Sequence, residues 1–134
     1  MKTGFKILIV DDDDLLAEMI EGLLSAQHFK TRRALNGKEG LKLVREFQPD
    51  AIILDRMMPE MDGNDVLKEL KSSMETRHIP VIMLTAEKRL GEVEESLKLG
   101  ALDYVIKPFE PETFVERVKK ILFVRPKGKE RPKT

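Results

Sequence analysis

The chain has 134 residues, of which 41% are hydrophobic and 36% charged, and its formal net charge is zero. That is enough for one domain with a real core and too little for two. It contains no apolar run near the roughly 18 residues that span a bilayer, no signal-peptide core after Met1, and no cysteine for disulfides or thiolate metal sites, so the cytoplasm is the expected location.

The zero sum hides an asymmetry. Residues 117–134 hold eight basic residues and one acid, leaving 16 basic and 23 acidic residues in 1–116, so the body is −7 and the tail +7. An acidic body argues against broad nucleic-acid binding. The basic tail reads most simply as solvated tail or linker.

In chain order, Ile7-Leu8-Ile9-Val10 is the first apolar run and predicts a strand. Leu15, Leu16, Met19, Ile20, Leu23 and Leu24 then recur at helical spacing. Phe29 to Leu35 is a weaker run with polar residues mixed in, as an edge strand would have. Asn36 is a candidate N-cap for a helix marked by Leu41, Val44 and Phe47. Ala51-Ile52-Ile53-Leu54 predicts the third strand, and Val66, Leu67 and Leu70 the third helix. Val81-Ile82-Met83-Leu84 follows as a strand, then a glutamate-rich helix thinly anchored by Val93 and Leu97. Tyr104-Val105-Ile106 is the last strand, and Phe114, Val115, Val118, Ile121 and Leu122 mark the last helix. After Phe123, Pro126, Gly128 and Pro132 exclude a long helical extension. Short continuous apolar runs suit strands buried on both faces of a parallel sheet. Five β-α units in succession therefore predict an α/β doubly wound domain over 1–124, with 125–134 a basic tail or the start of a linker.

Four of the runs end in a chemically useful residue: Asp11, Asp55, Thr85 and Lys107. In open α/β sheets the ligand site lies beyond the carboxyl ends of the strands, so these residues converge on one edge. With the first and third strands as neighbours, Asp55 stands beside Asp11 and Asp12. Two carboxylates about 4 Å apart repel by roughly 4 kcal/mol at an effective dielectric near 20. A hard cation offsets this, and Mg²⁺ takes one or two carboxylates together with waters and a phosphate. Lys107 adds a second positive charge and Thr85 a hydroxyl donor. A carboxylate nucleophile, a metal, a lysine and a hydroxyl are what phosphoryl transfer requires.

Val10-Asp11-Asp12, Asp55-Arg56-Met57-Met58-Pro59-Glu60-Met61-Asp62-Gly63, Thr85-Ala86 and Lys107-Pro108-Phe109 together resemble the receiver domains of two-component response regulators, the chemotaxis regulators among them. The similarity covers about residues 5–123. It implies a flavodoxin-like five-stranded parallel sheet of order 2-1-3-4-5. It also implies a role for each residue: Asp55 as phospho-acceptor, and Asp12, Asp55 and the Met57 carbonyl as Mg²⁺ ligands, with Asp11 acting through water. Lys107 would pair with the phosphoryl group, Thr85 would move toward it, and Tyr104 would turn inward behind it. Lys107-Pro108 would be a cis peptide. The donor would be a sensor histidine kinase or phosphotransfer protein. The output would pass through the face made by the fourth helix, fifth strand and fifth helix to an effector protein or a fused output domain, with no membrane partner. Arg56, a cation directly after the acceptor, departs from the usual pattern. Met57 and Glu87 stand at positions that vary among such domains.

Taken singly, several of these residues have plainer readings. Asp13 or Asp14 suits an N-cap, Met58 and Met61 suit core filling, and Thr85 or Tyr104 alone would be ordinary strand-end residues. His28 and His78 have no partners at ligand spacing. Two other functions compete. A haloacid dehalogenase-type phosphatase would need D-x-D-x-[TV], which Asp11 and Asp13 fit and Leu15 does not. A degenerate receiver serving only as an interaction module would lack site residues that are all present here.

Overall fold

The computed structural model describes residues 4–123. Its elements are β1 (Lys6–Val10), α1 (Asp14–Ser25), β2 (Lys30–Ala34), α2 (Gly37–Phe47), β3 (Ala51–Leu54), α3 (Gly63–Ser72), β4 (Val81–Thr85), α4 (Leu90–Lys98), β5 (Asp103–Ile106) and α5 (Pro111–Ile121). The strands form one parallel sheet in the order β2-β1-β3-β4-β5, as expected. The basic tail at 125–134 lies outside the described residues. Among the described residues, no helix is long and apolar enough to cross a membrane.

Alternation along each strand divides the core in two. Leu8 and Val10 join Ile52, Leu54, Val81 and Met83 beneath Leu43, Val44, Val66, Leu67 and Leu70 of α2 and α3. Ile7 and Ile9 join Ile53, Ile82 and Leu84 on the other face, beneath Ala17, Ile20 and Leu24 of α1 and Phe114, Val118 and Ile121 of α5. Burial on both faces is why the inner strands read as unbroken apolar runs. The edge strand β2 buries only Ala34, in line with its weaker pattern.

Local signals fix the helix starts. The Asp13 side chain accepts from the Leu16 N–H at 3.1 Å, and Asn36 from the Glu39 N–H at 2.8 Å. Asp62 and Asp65 form a reciprocal capping box at α3. Helix α4 has no side-chain cap.

Two helical stripes differ from expectation. In α1 the buried residues are Ala17, Ile20 and Leu24, while Leu15 and Met19 are exposed. This helix carries apolar residues around much of its circumference, so periodicity alone does not choose the inward face. In α4 the one fully buried residue is Ser96; Val93 is partly buried and Leu97 lies 43% exposed. Glu92, Val93, Ser96 and Leu99 share a face at i, i+4 and i+3 spacing, and that face is turned inward. The expected anchor Leu97 lies beside it.

Candidate functional site

The sheet register builds the site. Val10 lies opposite Leu54 where β1 pairs with β3, and the Asp55 N–H donates to the Val10 carbonyl at 2.9 Å. The next residues, Asp11 and Asp55, therefore leave the sheet side by side. Asp11, Asp12 and Asp55 each offer a carboxylate oxygen, all within 4.8 Å of one another. Asp11 and Asp55 are buried and Asp12 is exposed. Lys107 arrives from the end of β5, its N–H held by the Thr85 carbonyl at 2.8 Å. Its ammonium Nζ lies 2.8 Å from Asp11 Oδ2 and 3.5 Å from Asp55 Oδ2.

The remaining contacts hold the two buried carboxylates in place. Asp11 Oδ1 accepts the Asp13 N–H at 2.9 Å, and Asp55 Oδ1 accepts the Met57 N–H at 3.2 Å. Thr85 is fully buried beside Asp55. Burial, reinforced by the Asp11 charge, pushes the Asp55 carboxyl up to about 6, against the opposing pull of Lys107, the Met57 N–H and the Thr85 hydroxyl. An all-oxygen, triply acidic donor set fits a hard divalent cation such as Mg²⁺ and does not suit a soft metal.

The folded-state value above 3.8 means that the folded chain holds the Asp55 proton more tightly than the unfolded chain. Metal-free stability should therefore fall as pH rises from about 4 to about 6 and then level off. Asp55→Asn removes that loss. In EDTA the variant should be more stable than wild type at pH 7 by on the order of 2 kcal/mol. Urea melts at several pH values check this, and a wild-type–variant difference that is flat from pH 4 to pH 7 would contradict it.

Behind these groups, Gly63 explains how α3 starts so close to the site. A Cβ there would sit 2.3 Å from the Asp55 carbonyl oxygen and 2.7 Å from the Arg56 Cα, so only glycine permits the approach. The Gly63 N–H donates to the Arg56 carbonyl at 2.9 Å. Lys107-Pro108 is cis. Tyr104 is turned inward at 9% exposure, and its hydroxyl donates to the Glu87 carbonyl at 2.7 Å.

The model of the response regulator receiver domain matches residues 7–119. The chain belongs to this family. It is a signalling domain of two-component phosphorelay systems. The chain is 42% identical over 114 residues to the DNA-binding response regulator MtrA of Mycolicibacterium smegmatis, covering 85% of this chain and 49% of MtrA. It thus spans about half the length of that curated relative. It is 39% identical over 116 residues to the polar-differentiation response regulator DivK of Brucella anthropi, covering 87% of this chain and 94% of DivK. Among solved structures, the chemotaxis protein CheY4 of Vibrio cholerae superposes with a TM-score of 0.83 at 29% identity, covering 87% of this chain and 98% of that one.

In this receiver domain the structure brings Asp11, Asp12, Asp55, Thr85 and Lys107 to one sheet edge, with the Met57 backbone adjoining. Tyr104 stands apart, bonded to the loop after β4. The sequence reading noted Arg56 and missed its partner. The guanidinium turns away from the acidic pocket to pair with Glu92 of α4, and it lies 3.7 Å from Asp62. The reading also missed a buried hydrogen bond from the Ser96 hydroxyl to Asn64 Oδ1 at 2.8 Å.

Proposed function

We propose that Asp55 accepts a phosphoryl group in a Mg²⁺-dependent reaction from a phosphohistidine on a sensor kinase or phosphotransfer protein. The observation that carries this reading is the convergence of Asp11, Asp12 and Asp55 within 4.8 Å, with Lys107 reaching both buried carboxylates. A carboxylate oxygen of Asp55 attacks phosphorus, the phosphorus–nitrogen bond breaks, and the donor imidazole leaves with the electron pair. Asp12, Asp55 and the Met57 carbonyl would hold Mg²⁺, with Asp11 acting through water. The ion, when bound, neutralises charge on the transferred group and on the carboxylates around it. Lys107 neutralises a phosphoryl oxygen, and Thr85 donates its hydroxyl to another. The Met57 N–H keeps the nucleophile oriented. The same groups serve attack by water on the aspartyl phosphate, in which the phosphorus–oxygen bond to Asp55 breaks, the carboxylate is restored and inorganic phosphate leaves, so the domain catalyses both its own phosphorylation and its own dephosphorylation.

The added charge then biases the α4-β5-α5 face, which Thr85 and Tyr104 border. Helix α4, with only Ser96 fully buried, is loosely enough held for two arrangements of similar energy. The receiving partner is a downstream effector protein or a fused output domain in the cytoplasm. DNA binding is named for MtrA, a protein about twice the length of the matched segment. Residues 1–116 of this chain carry a net charge of −7, which disfavours broad contact with nucleic acid, so its direct partners in this proposal are proteins.

Acetyl phosphate with Mg²⁺ should add one phosphoryl group to the intact chain, and EDTA should abolish the addition. Equal labelling with and without the metal, read by intact-mass spectrometry, would reject the metal-dependent mechanism.

A further inference from the structure

Among the described residues, two buried side-chain polar atoms lack a protein hydrogen-bond partner: Arg56 Nε and Asn64 Nδ2. Each side chain gives one polar group to α4, while the second terminal nitrogen of Arg56 lies toward Asp62 at 3.7 Å. Arg56 pairs with Glu92, and Asn64 Oδ1 accepts from Ser96. Glu92 and Ser96 are four residues apart and share one face of the helix. On the body side, the two partners flank the acceptor. Arg56 follows Asp55 in the chain. Asn64 follows Gly63, whose Cα is packed against the Asp55 carbonyl and whose N–H is bonded to the Arg56 carbonyl. The seam that holds α4 thus joins the apolar contacts of Val93 and Leu99 to two polar contacts that are incompletely satisfied and attached to the backbone beside Asp55.

An orphaned buried donor costs free energy that an apolar seam would not incur. Such a seam holds the helix in place without making that place strongly preferred. Arg56 is the charged member, with its side chain 12% exposed against 30% for Glu92. A partly buried ion pair is screened less than a surface pair. A shift of the Asp55–Arg56 segment moves the guanidinium relative to Glu92, whereas the neighbouring apolar contacts of Val93 and Leu99 tolerate sliding.

We propose that Arg56 is a positioning residue whose ion pair with Glu92 latches α4 in the unphosphorylated arrangement, so that the acceptor segment and α4 move together. This rests on the proposed switching of the α4-β5-α5 face and names the contact that opposes it. Coupling is reciprocal. If the latch favours the unphosphorylated arrangement, its removal must raise the affinity for a phosphoryl mimic by the same factor by which it raises the population of the switched arrangement.

The test titrates the full chain with beryllofluoride in saturating Mg²⁺ and follows backbone amide shifts. Glu92→Gln keeps shape and removes the charge. It should bind beryllofluoride about fivefold more tightly than wild type, the low end of allosteric coupling factors. Before any addition, its amides at 90–98 should already be displaced toward their beryllofluoride-bound positions. The swapped pair Arg56→Glu with Glu92→Arg should return both readouts toward wild type, which a merely structural role would not produce. If wild-type α4 amides move on beryllofluoride binding but Glu92→Gln binds within twofold of wild type with undisplaced amides, the latch is wrong and the switching face stands. If wild-type α4 amides do not move at all, the switching reading falls and the latch falls with it.

Discussion

With acetyl phosphate and Mg²⁺, the wild-type chain is expected to carry a borohydride-trappable label on Asp55, and Asp55→Ala is expected to carry none. The position of the label matters more than its presence, because an aspartate-nucleophile phosphatase would also form an aspartyl phosphate. Its nucleophile would end the first strand, at Asp11. The structure makes Asp11 a poor nucleophile: one oxygen is held by Lys107 at 2.8 Å and the other accepts the Asp13 N–H at 2.9 Å. Asp55 lies farther from Lys107, at 3.5 Å. A small donor suffices because the charge-neutralising groups belong to the protein. Asp11→Ala should label more weakly than wild type, since one of the three carboxylates is lost while the attacking group remains. Peptide mapping after trapping reads all three proteins. Label on Asp11, or hydrolysis of many phosphomonoesters per chain, would overturn the assignment.

Much of this arrangement was legible in the sequence because strand ends are legible. Each of the apolar runs 7–10, 51–54 and 81–84 became a strand buried on both faces, and parallel pairing carries the residue after each run to the same edge. Asp11, Asp55 and Thr85 are therefore placed together by the sequence, and the shorter run 104–106 brings Lys107 to the same edge. What was not legible depends on rotation and reach. Leu15 and Met19 look like core and are exposed, because α1 has more apolar residues than its buried stripe needs. Leu97 looks like an anchor, yet the adjacent Ser96 is the buried residue, its hydroxyl satisfied by Asn64 from another helix. Arg56 is the clearest case. A cation next to the acceptor could neutralise the pocket, but the chain bends at Arg56 once β3 has ended. Asp55 faces the acidic cluster, whereas the Arg56 side chain reaches α4, where Glu92 meets it. No spacing rule joins residues 56 and 92 in advance.

Asp12→Asn should lose Mg²⁺ affinity by at least about tenfold, since removing an outer-shell partner of a metal site already costs 10- to 100-fold and Asp12 would be a direct ligand. Metal-dependent labelling of Asp55 should fall in step at subsaturating Mg²⁺. The fold should be intact, because Asp12 is the exposed member of the cluster and holds no strand or helix in place. The geometry separates its role from that of its neighbours. Asp11 is tied to Lys107, and Asp55 is oriented by the Met57 N–H, whereas among the described residues no hydrogen bond or ion pair involves the Asp12 carboxylate. It lies within 4.8 Å of two like charges and opens to solvent, which is where a cation arriving with its waters would meet it. Removing its charge relieves repulsion, so thermal stability in EDTA should equal or exceed that of wild type. Mg²⁺ should then raise the melting temperature of wild type more than that of the variant, because a ligand stabilises only the state that binds it. Equal Mg²⁺ affinity in the two proteins would remove Asp12 from the ligand set, and a variant that unfolds in EDTA would assign it a structural role instead.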